Sequence, residues 1–352
     1  MVSDASRPAD RRPSSTPPDD AEVRRLVAEV WGLDVTARRL SGEKDVNFRL
    51  TDADGRRSLI KIYSPDTDPD VVAMQTEALR HAGRRDPDLP IQRVIAARDG
   101  DPCPRLVLAD GGRRTLRMVS FLDGVSLDGS PSTARQRRAV GAMSARLQIA
   151  LDDFAHPSDD HPLIWDMKRA GRLRPHLGFF AGAERDRLEA VLDLFEARIA
   201  PVMAELPTQV VHNDFNGDNL LVDAADTDRI AGVIDFDDMV RAPRLFDLAV
   251  ACCYQIRDAE DPAAAIADCL DGHLAVRALP PDELDLLPAA ILTRMAMRLI
   301  VPEWRGAQLP ENRAYVTRNS DLVRRQFARL GDGPIAAIAD RLSTRLSPRG
   351  RR

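Results

Sequence analysis

The stretch Val210-Val211-His212-Asn213-Asp214-Phe215-Asn216-Gly217-Asp218-Asn219-Leu220-Leu221-Val222-Asp223 ends one apolar run in an aspartate and places an asparagine five residues later. A second apolar run, Gly232-Val233-Ile234, delivers Asp235 sixteen residues beyond Asn219, followed by Phe236-Asp237-Asp238. Any one of these polar residues alone reads as turn chemistry, since Asp and Asn favour turns. The three together fit phosphoryl transfer from a nucleotide. That reaction needs a carboxylate to orient the attacking hydroxyl, and an amide oxygen with a second carboxylate to hold magnesium against the phosphates. Magnesium is a hard ion that keeps waters, so few protein oxygens suffice.

A lysine inside an apolar strand, Leu59-Ile60-Lys61-Ile62-Tyr63, points the same way, because a buried ammonium without an anion is costly. Glu77 follows sixteen residues later in a helical pattern, and a strand lysine paired with a helix glutamate beside nucleotide phosphates is a kinase arrangement. By itself Lys61 also reads as an edge-strand lysine facing water; the downstream trio tips the balance. The turn Ser41-Gly42-Glu43-Lys44-Asp45 offers backbone amides and the Ser41 hydroxyl to phosphates, or is a plain hairpin.

The surrounding pattern predicts an α+β chain. A helix begins after Asp20, which can cap it, and runs to about Trp31. Strands are expected from Val35, at 46–50 and 58–63 around an Ala53-Asp54-Gly55 turn, and at 91–97, 105–109 and 115–121, with a helix over 69–84. After Asp123-Gly124 helices dominate, at 132–154, 183–204, 246–256, 263–277, 281–303, 313–330 and 335–346. This gives a disordered tail over 1–20, rich in Pro, Ser, Asp and Arg. A nucleotide-binding lobe follows over 21–122, then a helical catalytic and acceptor-binding lobe over 123–346, and a tail over 347–352.

With 352 residues the chain has room for two domains, and a net charge of −5 argues against a nucleic-acid partner. No apolar run approaches the roughly 20 residues of a membrane span, and no signal-peptide pattern opens the chain, so the cytoplasm is the expected compartment. Cys103, Cys252, Cys253 and Cys269 form no CxxC pair and read as free thiols.

These motifs resemble the aminoglycoside phosphotransferase and choline kinase superfamily, and within it the hydroxylysine kinase-like branch. The residues that carry the resemblance are Gly42–Phe48, Leu59-Ile60-Lys61, Met74–Leu79, Phe121-Leu122-Asp123-Gly124, the His212–Asn219 loop, Ile234–Val240 and Phe246–Ala251. The resemblance implies a bilobal protein-kinase-like fold, a small antiparallel sheet lobe plus a mostly helical lobe. It implies Asp214 as catalytic base, Asn219 and Asp235 as ligands of Mg²⁺, and Lys61 with Glu77 at the phosphates of ATP or GTP. The backbone of Met118-Val119-Ser120-Phe121 matches the hinge that holds the nucleobase. His212 matches a residue that packs the catalytic loop, and Asp247 one that ties the following helix to it.

Acceptor residues are softer. Asp237 stands where the branch often has glycine, and could bind a second ion or a substrate amino group; Asp238 could add to it or cap the turn. Trp165, Glu303 and Trp304 would suit an amine-bearing acceptor through cation–π contact and ion pairing, with Trp304 equally readable as a core plug. The expected activity is a small-molecule kinase acting on a hydroxyl of a hydroxylysine-like amino acid or amino-alcohol. Its expected partners are a nucleotide and a small acceptor, with no membrane, in a monomer or homodimer. Aminoglycoside, homoserine, choline and ketosamine kinases remain alternatives, as does a silent nucleotide-binding module.

Overall fold

The computed structural model describes residues 17–40, 42, 45–257 and 259–347. Most of the expected tails and Ser41 lie outside these residues. The chain divides into two compact units, one of residues 1–76 and 93–121, the other of residues 77–92 and 122–352.

The first unit opens with α1 (Asp20–Val30). Its cap is Asp19, one residue earlier than expected, whose carboxylate accepts the Glu22 N–H at 2.8 Å. Strands β1 (Val35–Leu40), β2 (Val46–Asp52) and β3 (Arg57–Ile62) form an antiparallel meander, and α2 (Pro69–Arg85) follows, divided between the units. Strands β4 (Arg105–Val107) and β5 (Arg113–Ser120) complete a five-stranded sheet in the order β1-β2-β3-β5-β4. The expected strand over 91–97 is not one: Pro90 removes a donor, and only isolated bridges form at Ile91 and Val94. Alternation puts Phe48, Leu50, Ile60 and Ile62 on one face, where they pack with Val23, Val27 and Trp31 of the α1 region. Each such side chain contributes about 1.5–3 kcal/mol of burial.

The second unit begins with β6 (Val125–Ser126), α3 (Ala134–Ala150) and α4 (Gly182–Arg198), with a 3₁₀ run over Met167–Phe179 between the two helices. Strands β7 (Thr208–Val211), β8 (Leu220–Val222), β9 (Ile230–Val233) and β10 (Val240–Pro243) carry the motif segments. Helices α5 (Arg244–Gln255), α6 (Pro262–Leu274) and α7 (Pro281–Gln308) follow. The expected helix over 313–330 is broken into α8 (Arg313–Val316) and α9 (Ser320–Arg329), and α10 (Ile335–Leu346) closes the chain. Cys252, Cys253 and Cys269 are buried thiols and Cys103 is half-buried, all four free. Among the described residues no helix is long and apolar enough to cross a membrane.

Candidate active site

Strand pairing in the second unit gathers residues that are distant in sequence. β7 and β10 run antiparallel with Val211 opposite Val240, so the strand entering the Asp214 loop lies beside the strand leaving the acid turn. β8 and β9 pair with Leu220 opposite Val233, and the Ile234 N–H donates to the Asn219 carbonyl at 2.9 Å. Asn219 and the residue before Asp235 are thus joined through backbone.

Both loops turn through left-handed residues, Asn213 at φ 65° and Asp235 at φ 60°. Such a conformation costs a side-chain-bearing residue roughly 1–2 kcal/mol, least for Asn and Asp, whose short polar side chains bond locally. The Asn213 N–H donates to the buried Asp247 carboxylate at 2.8 Å, which fixes the first loop to α5. Burial pushes the Asp247 carboxyl above its usual range, against the Asn213 and Gln148 hydrogen bonds and the Arg294 charge.

Fully buried His212 lies between the loops, edge-on to the rings of Phe215 and Phe236. Its Nδ1 accepts the Asp214 N–H at 3.3 Å and its Nε2 lies 3.1 Å from the Ile234 carbonyl. The tautomer with hydrogen on Nε2 satisfies both bonds. With both nitrogens occupied, His212 has no lone pair to offer an acceptor proton.

The Asp214 carboxylate is held from both sides and its side chain stays 23% exposed, enough to meet a substrate. Oδ2 accepts from Asn216 Nδ2 at 2.8 Å and from Asn219 Nδ2 at 2.7 Å. Oδ1 accepts from Arg294 Nη2 at 3.3 Å. Because the Asn219 amide nitrogen makes these bonds, its oxygen is the end that can serve as a ligand.

Asp235, Asp237 and Asp238 form the second loop. Asp238 is pushed up to about 8, by burial first and then by the carboxylates of Asp214 and Asp235, with Arg294 opposing and Asp237 adding to the rise. Carboxylates close enough to raise one another in this way suit a divalent cation. Among the described residues no group of three or more His, Cys, Asp and Glu forms a metal cage. A magnesium site of the expected kind needs fewer protein ligands, because phosphates and waters complete it. The oxygen donors of Asn219 and Asp235 fit that requirement.

Lys61 lies half-buried in β3, its ammonium 5.9 Å from the Tyr63 ring centroid, while Glu77 is an exposed residue of α2 that falls in the other unit. Gly42 is exposed, and a Cβ there would meet the Asp45 carbonyl at 2.5 Å. In the expected hinge, the Met118 carbonyl accepts from Ile95, and the Ser120 and Phe121 N–H groups donate to Arg93 and Arg57. Trp165 does reach the Asp214 loop: its carbonyl accepts from Asn213 Nδ2 at 3.5 Å and Arg294 Nη1 at 3.1 Å. Glu303 forms ion pairs with Arg313 and Arg324. Trp304 lies tilted against His176, 5.0 Å between ring centroids. A cavity of about 270 Å³ lined by Ala183, Arg187, Leu188, Leu299 and Phe327 contains no motif residue.

Sequence reasoning missed Arg294. It lies in α7, 1% exposed, with its guanidinium 4.9 Å from the Trp165 ring centroid and 6.0 Å from that of Tyr254. The signal was present: Arg294 and Arg298 stand one turn apart in the apolar run Ala289–Val301, and a charge in such a run needs a partner.

Residues 36–279 match the model of a family described as the phosphotransferase enzyme family (APH). Hydroxylysine kinase of Mus musculus is 24% identical over 325 residues, covering 84% of this chain and 85% of that protein. Homoserine kinase of Methylobacillus flagellatus is 28% identical over 288 residues, 77% of this chain and 79% of that protein. The solved structure of a microcompartment-associated aminopropanol kinase aligns with a TM-score of 0.65 at 20% identity, over 95% of this chain and 99% of that one, and shares its fold.

Proposed function

The chain belongs to the phosphotransferase enzyme family and transfers phosphoryl groups to hydroxyls of small molecules; we propose that its donor is ATP or GTP and its acceptor an amine-bearing metabolite, a hydroxylysine-like amino acid or an amino-alcohol. The observation that carries this reading is the Asp214 carboxylate, partly exposed yet held by three N–H donors.

In this reading Asp214 accepts the proton of the acceptor hydroxyl as that oxygen attacks the γ-phosphorus. Asn219 and Asp235 hold Mg²⁺, and Lys61 and Glu77 take the phosphate-binding roles that the resemblance implies. Bound there, the dication neutralises charge on the phosphate oxygens. Asn216 and Asn219 keep Asp214 oriented before substrate arrives, so little reorganisation is needed during the reaction. The carboxylates of Asp214, Asp235 and Asp237 all act on Asp238 to raise its carboxyl, and such a gathering of acids beside the base favours an acceptor carrying an ammonium. The kinship with hydroxylysine and homoserine kinases supports the same acceptor class, since both named substrates combine an amine with a hydroxyl.

The test is nucleotide consumption by purified protein with ATP and with GTP, against amino-alcohols, hydroxyl amino acids, aminoglycosides and neutral alcohols of matched size. Amine-bearing acceptors should give magnesium-dependent turnover well above the neutral set. Equal turnover of the two sets would remove the cationic-acceptor reading.

A further inference from the structure

We propose that Arg294 is a positioning residue for phosphoryl transfer, fixing which oxygen of Asp214 receives the acceptor proton; the inference rests on Asp214 being the base. A carboxylate oxygen offers about two lone-pair sites. Oδ2 of Asp214 already accepts two amide N–H groups, at 2.8 Å and 2.7 Å, and is full. Among the described residues Oδ1 accepts only the Arg294 bond, at 3.3 Å, so its second lone pair is the one left for a hydroxyl. The acceptor O–H donates there. As the new O–P bond forms and the bond to the β-phosphate oxygen breaks, the proton passes to Oδ1 and the nucleoside diphosphate leaves with the bonding electrons.

The guanidinium is itself held rigidly. Nη1 donates to the Trp165 carbonyl at 3.1 Å, and the group lies within cation–π range of Trp165 and Tyr254. The side chain is almost wholly buried, and its Nε is buried without an acceptor. Taking a charge out of water costs several kcal/mol, and stability is poorly served by a guanidinium left partly unsatisfied. Among the described residues its one salt bridge is to the base, where the planar fork can set the direction of an oxygen lone pair. An error of about 1 Å in such a geometry is enough to cost on the order of 10²-fold in rate.

The experiment compares Arg294→Ala, Arg294→Met and Arg294→Lys with wild type and Asp214→Asn. It reads kcat, KM for acceptor and nucleotide, and melting temperature in the same preparations. The expected result is a kcat lowered about 10²-fold in the Ala and Met proteins with both KM values held, as for lost positioning. Lysine should restore part of it, and millimolar guanidinium should raise kcat of Arg294→Ala alone. A folded Ala or Met variant with wild-type kcat overturns the proposal. So does a rise in acceptor KM at unchanged kcat, which would make Arg294 a substrate contact. If neither Ala nor Met folds, the Lys protein decides: wild-type kcat there, with the fork geometry gone, also overturns it. Should Asp214→Asn keep its turnover, the assignment of the base has failed; should Asp214→Asn be inactive and Arg294→Ala normal, only the present inference has.

Discussion

In the loop after β7, three N–H donors converge on the single carboxylate of Asp214. In the turn after β9, acids crowd together instead, and their mutual repulsion adds to burial in holding Asp238 near 8. The two loops lie side by side, joined through His212 and the β7–β10 and β8–β9 pairs. Their difference separates two kinds of readiness. The first loop is organised by the protein's own donors and needs nothing added to be in position. The second stores electrostatic repulsion that an incoming cation relieves, so its order is coupled to what it binds.

Asp214→Asn tests the first kind and should have the largest effect. It removes the proton acceptor but keeps the shape, so turnover should fall by about 10²–10⁴-fold while nucleotide affinity holds. Turnover within a few-fold of wild type would end the contrast, because the organised loop would then not be the reactive one.

Asn219 belongs to both loops, through its amide nitrogen to Asp214 and its backbone to Ile234. Asp235→Ala should raise the Mg²⁺ needed for half-maximal activity by roughly 10–100-fold, the scale on which losing support around a metal shows. Asn219→Ala should raise it comparably and, in addition, leave kcat depressed at saturating Mg²⁺. A full recovery of kcat in Asn219→Ala at high Mg²⁺ would mean the base does not depend on that amide.

The smallest effect is on stability. The folded value of Asp238 lies above the ordinary carboxylate value of 3.8, so ionising it opposes folding. That penalty is absent below about pH 4, grows as pH rises, and is complete above about 8. In metal-free protein at pH 8, Asp238→Asn should therefore melt a few degrees above wild type, and the gap should close on acidification or on adding Mg²⁺. A gap that ignores both would show that the turn stores no repulsion.

The sequence made the two loops readable because their residues are contiguous and their order is itself the motif. Strand β2, strand β3 and helix α2 were legible through alternation and helical spacing. What escaped was long-range. Arg313 and Arg324 reach Glu303 from α8 and α9, which local spacing does not reveal. Arg294 meets Asp214 across 80 positions of sequence. The desolvation argument that singled out Lys61 in its strand applies with equal force to Arg294 in α7, and applied there it would have flagged a residue needing an anion. The stretch at 91–97 has strand composition, yet Pro90 and competing turns leave it only two bridges.

The His212 ring acts as a gauge block between the two loops. One nitrogen takes the amide of Asp214 and the other gives to the carbonyl just before Asp235, so the separation of the two aspartates is set at the backbone by the width of an aromatic ring that cannot stretch. Other side chains of similar length bend at rotatable bonds and would let that separation drift. Neighbouring helices can therefore shift while the interval between the two acids stays constant.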